Sequence, residues 1–278
     1  MLRSALLLSS VMILAIMFLA IPAGADAVDD EEARGAAAAK AGDYDTAAKA
    51  FTQAFVLARK QRGKNDPSVG PLALEAGKAL LETSQIDRAT VAFSIAVKNA
   101  QVNHGKASIK NAEPLRMLAL ASDRNSDRTK ARTIYEELIK LLRRTTGEDS
   151  LRTANALMAA AELDIRTQNL GIARRRLRDA IRGFKKAGSE FRRETAKARV
   201  LLGIAYILDS SDWKKNLPAG GEILREGIQN YEMAYPLGSP EVIAMYENLL
   251  LQVDGTPIGD KMGDKLSGRL AEHKAAKN

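Results

Sequence analysis

Small and bulky side chains recur along this chain every 42 residues, and a recurrence at a fixed step leaves few folds open. Gly42-Asp43-Tyr44-Asp45-Thr46-Ala47-Ala48-Lys49-Ala50-Phe51 aligns with Ser84-Gln85-Ile86-Asp87-Arg88-Ala89-Thr90-Val91-Ala92-Phe93. Stepping on by 42, Ala47, Ala89, Ala131 and Ala173 form one column, and Phe51, Phe93, Tyr135 and Leu177 a second. Ala54, Ala96, Leu138 and Ala180 form a third, and Gly35, Gly77, Ala119, Ala161 and Gly203 lie upstream in a fourth. Within a unit the first three columns are four and then three residues apart, which places them on one face of a helix. Glycine inside a helix costs ~1 kcal/mol relative to alanine, so the fourth column marks close approach of a neighbouring helix.

Each unit therefore reads as helix, tight turn, helix. The turns fall at Ala41-Gly42-Asp43, Thr83-Ser84-Gln85, Asn125-Ser126-Asp127 and Gln168-Asn169, all rich in residues that favour turns and caps. Longer links, such as Gly63-Lys64-Asn65-Asp66-Pro67 and Thr145-Thr146-Gly147-Glu148-Asp149, join the units. The pattern resembles the tetratricopeptide repeat: Ala41 to Phe55 looks like that family's turn and second helix, and Gly35 and Gly77 match its small residue in the first. The step exceeds the usual ~34 residues and is closer to the long repeats of kinesin light chains. Arg128 and Asp164 depart from the pattern, standing where larger apolar residues are expected.

The resemblance implies an all-α, right-handed αα superhelix of about five helix pairs plus a capping helix, over residues 28–253. The fifth unit opens in register at Gly203, but an insertion around Asp209 to Pro218 displaces its second helix, where Gly220, Leu224 and Gly227 take over the small, large and small columns. Pro240 to Val253 reads as the cap, since terminal repeats need a modified outer face. Residues 254–278, rich in Gly, Lys and Asp, read as a mobile tail with at most a short helix.

Residues 1–27 have the layout of a cleaved signal peptide. Arg3 precedes an almost wholly apolar stretch from Ala5 to Ile21, and Pro22 leads into Ala23-Gly24-Ala25 and Ala25-Asp26-Ala27. Cleavage after Ala25 or Ala27 would deliver the chain outside the cytoplasm, most simply to a bacterial periplasm. The alternative is an uncleaved anchor, because the apolar run approaches the ~20 residues of a spanning helix.

The side chains that carry chemistry are sparse. There is no cysteine, and the only histidines are His104 and His273, so disulfides, thiolate nucleophiles and histidine-pair metal motifs are excluded. No phosphate loop or nucleophile elbow occurs, and pairs such as Glu136-Glu137 read as solvated helix surface. We expect no enzyme, no cofactor, no metal and no small-molecule substrate.

A binding role remains, and the resemblance locates it on the first helices of each pair, which line the inner groove. Here that groove would comprise Lys40, Leu74, Lys78, Leu81, Arg116, Leu120, Met158, Glu162, Arg166 and Ile204, a mixture suited to a protein or peptide with acidic and apolar residues. The net charge of +8 favours anionic contacts. Its densest concentration is Arg174, Arg175, Arg176, Arg178, Arg182, Lys185 and Lys186, interrupted at helical spacing by Leu177, Ala180, Ile181 and Phe184. That run is either a solvated outer face or a docking surface for anionic lipid or an acidic partner. Export and the scarcity of aromatic residues within it argue against nucleic acid. Tyr206, Trp213 and Tyr231 form a candidate aromatic patch, unless Trp213 only pins its own insertion to the scaffold.

Overall fold

The computed structural model describes residues 27–277, and the apolar N-terminal stretch with its cleavage triplets lies outside them, apart from Ala27. Five helix pairs follow one another: α1 (Ala27–Lys40) with α2 (Tyr44–Gln61), α3 (Val69–Glu82) with α4 (Ile86–His104), α5 (Ala112–Arg124) with α6 (Arg128–Thr146), α7 (Leu151–Arg166) with α8 (Leu170–Ala187), and α9 (Arg192–Ile207) with α10 (Trp213–Ala234). A sixth pair, α11 (Pro240–Val253) and α12 (Pro257–Lys277), closes the stack. No strand occurs among the described residues.

The recurring columns meet inside each pair. A Cβ added to Gly35 would lie 2.9 Å from the Phe51 ring, one added to Gly77 would lie 2.5 Å from the Phe93 ring, and one at Gly203 would lie 2.7 Å from Leu224. Glycine here lets an aromatic or leucine side chain lie on bare backbone. In the fifth unit Gly220 and Gly227 approach Tyr206 and Val200 in the same way, as the takeover of columns anticipated. The inserted residues are taken up partly by the link Leu208 to Asp212 and partly by the start of α10, Pro218 included.

The turns inside the first four pairs share one geometry. Gly42, Ser84, Ser126 and Gln168, each 42 residues apart, have positive φ of 79°, 57°, 61° and 59°. The next residue's amide then reaches back to the preceding helix: Asp43 to Ala38, Gln85 to Leu80, Asp127 to Ser122 and Asn169 to Asp164, at 2.8–2.9 Å. This is a Schellman closure, which satisfies carbonyls that the helix end leaves free. Asp43 and Asp127 serve twice, since their side chains also accept from the amides of Thr46 and Lys130 to cap the following helix. The links between pairs are looser and are held by side chains: Asn99 donates to the Asp66 carbonyl, Asn111 to that of Gly105 and Thr153 to that of Gly147, each at 2.8 Å.

First helices of successive units approach each other more closely than second helices do, α3 with α5 and α7 with α9, so the stack curves towards its first helices. The C-terminal segment departs from expectation. Residues 257–277 form a 21-residue helix, not a mobile tail, and bury Leu266 and His273. Glu232 of α10 holds this end, accepting from Tyr246 at 2.6 Å and from Arg269 at 2.6 and 2.9 Å. The buried His273 ring accepts from the Gly238 amide at 3.1 Å through Nδ1.

Candidate functional site: a trough between the third and fourth units

The expected groove residues divide into two groups. Leu81 and Ile204 are 5% and 4% exposed and belong to the core, so they line no groove. Lys40 is exposed at the end of α1, and Leu74 and Lys78 are half-buried on α3, with Lys78 2.8 Å from Glu75. Met158 is half-buried on α7 and lines none of the hollows described below.

The structure brings Arg116, Leu120, Glu162 and Arg166 to one place. Helices α5 and α7 flank two hollows that are floored by α6. A hollow of about 470 Å³ at one end is bounded by Ile109, Lys110, Ala112, Glu113, Arg116, Leu138, Leu142, Arg152, Asn155 and Ala156. Another of about 380 Å³ at the other end is bounded by Leu120, Asp123, Arg124, Arg128, Tyr135, Ala159, Glu162 and Arg166. Together they make a trough with an apolar floor and charged ends.

Its carboxylates are already engaged. Glu113 accepts two hydrogen bonds from Arg116 at 2.8 Å, which hold its carboxyl below the usual carboxylate range. Asp123 is paired with Arg166 across the trough, and Glu162 with Lys197 of α9 at 2.8 Å. Tyr135 lies beneath that end, and burial, with Asp123 and Glu162 nearby, pushes its phenol up to about 12. Lys110 and Arg152 at one end, and Arg124 and Arg128 at the other, are exposed and have no acidic partner among the described residues. Sequence reasoning missed these four. Lys110 and Arg152 are themselves one 42-residue step apart, as are Arg124 and Arg166, so the recurrence held a signal for them.

Much of the basic run on α8 is spent on contacts within its own pair, with the link before it and with the next unit. Arg174 reaches Asp209 at 2.6 Å and lies over the Tyr206 ring, Arg176 reaches the fully buried Asp164 at 2.5 Å, and Arg178 donates to the Tyr206 hydroxyl. Arg182 reaches Asp149 at 2.8 Å, and Lys186 reaches it at 3.5 Å. Only Arg175 and Lys185 of the seven have no such contact. Most of the run thus takes part in ion pairs or hydrogen bonds, while Arg175, Arg178, Arg182, Lys185 and Lys186 remain exposed. Burial holds the Asp164 carboxyl above the usual range even against the pull of Arg176. Tyr206 is committed to those arginines, and Tyr231 is buried against Tyr235 with ring centres 4.7 Å apart, so the two tyrosines form no shared exposed patch.

Neither a protein-family model nor a curated protein matches this sequence. Solved structures do match its architecture. A Podosopora anserina putative kinesin light chain, with nearly identical TPR-like repeats, is 13% identical with a TM-score of 0.62, over 74% of this chain and 97% of that one. BtubC (BKLC) from P. vanneervenii is 19% identical with a TM-score of 0.57, over 75% and 82%. The RpL4 assembly chaperone Acl4 is 19% identical with a TM-score of 0.56, over 90% of both chains. Recurring columns, curved stack and these likenesses agree on the fold: this chain is a TPR-like, right-handed superhelix of helical hairpins.

Proposed function

We propose that this chain is an exported scaffold that holds a segment of another protein in the α5/α7 trough, and that it works by binding and not by catalysis. The observation that carries this reading is the pairing pattern. Every carboxylate bordering the trough has a cationic partner, whereas Lys110, Arg152, Arg124 and Arg128 have none, so the two ends present uncompensated positive charge about an apolar floor. Helix α5 spans 13 residues, or ~20 Å, which accommodates about six residues of extended peptide. The complementary occupant is a short segment with acidic residues at both ends and apolar side chains between them. The assembly chaperone among the similar structures is named for a protein client, which is in keeping with this role.

A labelled peptide of four leucines flanked on each side by two glutamates tests the idea by fluorescence anisotropy. The chain is expected to bind it and to ignore the same peptide flanked by lysines. Arg116→Glu with Arg152→Glu is expected to weaken binding at least tenfold. Equal binding of both peptides, or an unaffected double variant, would remove the trough as the site.

A further inference from the structure

A second concentration of uncompensated charge lies elsewhere, on the edge of the solenoid formed by the links between units. The end of α8, the turn at Ser189–Phe191, the start of α9 and the last turn of α10 enclose a hollow of about 420 Å³. Three cations line it, Lys185, Arg192 and Arg199, and no carboxylate does. Glu226 meets Arg199 at 3.2 Å, while Lys185 and Arg192 have no acidic partner among the described residues.

Met233 lines the hollow, and Leu237 follows it in the chain by four residues; both stand in water. Met233 is 75% exposed, and Leu237, just beyond α10, is 62% exposed. The same edge continues through Arg144 and Arg152 at the preceding link and through Lys106 and Lys110 at the one before, all exposed and without acidic partners. Of its acids, Glu148 is held by Arg143 at 3.4 Å and Asp149 by Arg182 at 2.8 Å. Glu190 beside the hollow, and Asp30 and Glu32 at the far end of the edge in α1, remain exposed.

We propose that this edge, centred on the Lys185, Arg192 and Arg199 hollow with Met233 and Leu237 beside it, docks on an anionic phospholipid surface. Cations at headgroup level, with two apolar side chains reaching the acyl boundary, form the combination that such a surface rewards. Charge complementarity selects the occupant: a neutral apolar partner would bury Lys185 and Arg192 without counter-charge, while a soluble anion alone would leave Met233 and Leu237 in water. The edge shares Lys110 and Arg152 with one end of the trough, but neither is substituted in the vesicle test, so the two proposals are tested separately.

Co-sedimentation of the purified chain with phosphatidylglycerol-containing vesicles, compared with pure phosphatidylcholine vesicles, tests this docking. The ratio of the two affinities cancels whatever the apolar N-terminal stretch contributes equally to every variant. The anionic vesicles are expected to bind more tightly, with an advantage that falls with added salt. Each cation contributes roughly fivefold, so Lys185→Glu with Arg192→Glu is expected to reduce the advantage at least ~25-fold. Met233→Ser with Leu237→Ser, at exposed positions that leave folding intact, is expected to weaken binding roughly tenfold. Lys214→Glu with Lys215→Glu, the same charge change on the opposite edge, is expected to retain the wild-type preference. No preference for anionic vesicles, or an equal loss in the opposite-edge variant, overturns the proposal.

Discussion

Ser84, Ser126 and Gln168 sit at φ near +60°, a region that L-residues with side chains enter at a cost of ~1–2 kcal/mol. Gly42 occupies the same position in the first unit and has no such cost. The chain tolerates the strain because the turn is fixed from both sides, by the Schellman hydrogen bond behind it and the next helix ahead. None of the three side chains makes a hydrogen bond that glycine would forfeit. Glycine's greater freedom in the unfolded chain takes back ~0.5–1 kcal/mol. Ser84→Gly, Ser126→Gly and Gln168→Gly are therefore each expected to stabilise the protein by about 0.5 kcal/mol, read as a higher urea midpoint at unchanged slope. The three changes are far apart and are expected to add.

At the scale of helices, the junction of α6, α7 and α8 combines a strong interaction with a misfit. Asp164 is 0% exposed at a position where earlier units carry Ala38, Leu80 and Ser122, and Arg176, 12% exposed, replaces Ala50, Ala92 and Ile134. Arg132 adds a second cation 3.8 Å from the carboxylate and donates to Thr167 at 3.0 Å. Two departures 12 residues apart thus place a buried ion cluster where the first two units have an apolar contact. Removing one partner leaves the other buried without its counter-charge, so Asp164→Leu alone is expected to cost about 3 kcal/mol. Asp164→Leu with Arg176→Ile, the residues found at the matching positions of earlier units, is expected to recover most of that loss. Chemical denaturation of the three variants measures the coupling, and purely additive losses would refute it. The same junction shows why the basic run misled sequence reading. Asp164 had been noticed only as a departure from the pattern, and the partners of Arg174 and Arg182, Asp209 and Asp149, lie 35 and 33 residues away in neighbouring units. Arginine density is visible in one dimension, whereas compensation is settled by which helix ends meet.

Over the whole molecule, the stack was legible because each unit must bury a bulky side chain against a small one, and that demand writes itself into columns. Arg116 and Arg166 are reached through the family resemblance, which puts a groove on the first helices, whereas the hollows between α5 and α7 depend on packing that the columns do not record. Helix α12 escaped notice because Gly259, Gly263 and Gly268 interrupt a stripe of Met262, Leu266, Leu270 and His273 whose spacing is helical. The other end of the stack bears on export. Val28 is fully buried and α1 begins at Ala27, so cleavage after Ala27 would strip the helix of its first residue, whereas cleavage after Ala25 leaves it whole. N-terminal sequencing of the chain recovered from fractionated cells is expected to begin at Asp26, and an intact Met1 in the membrane fraction would establish an anchor instead.

Asp43 and Asp127 each finish one helix and start the next, so there is no slack at these corners. Added or deleted residues there would have to break both helices at once. Between hairpins, where a side-chain amide or hydroxyl holds a loop by its carbonyl, length can change and leave each hairpin intact. A lineage of such chains is free to vary in pitch and reach only at those seams, and an engineer wishing to insert a tag or a sensor should cut there.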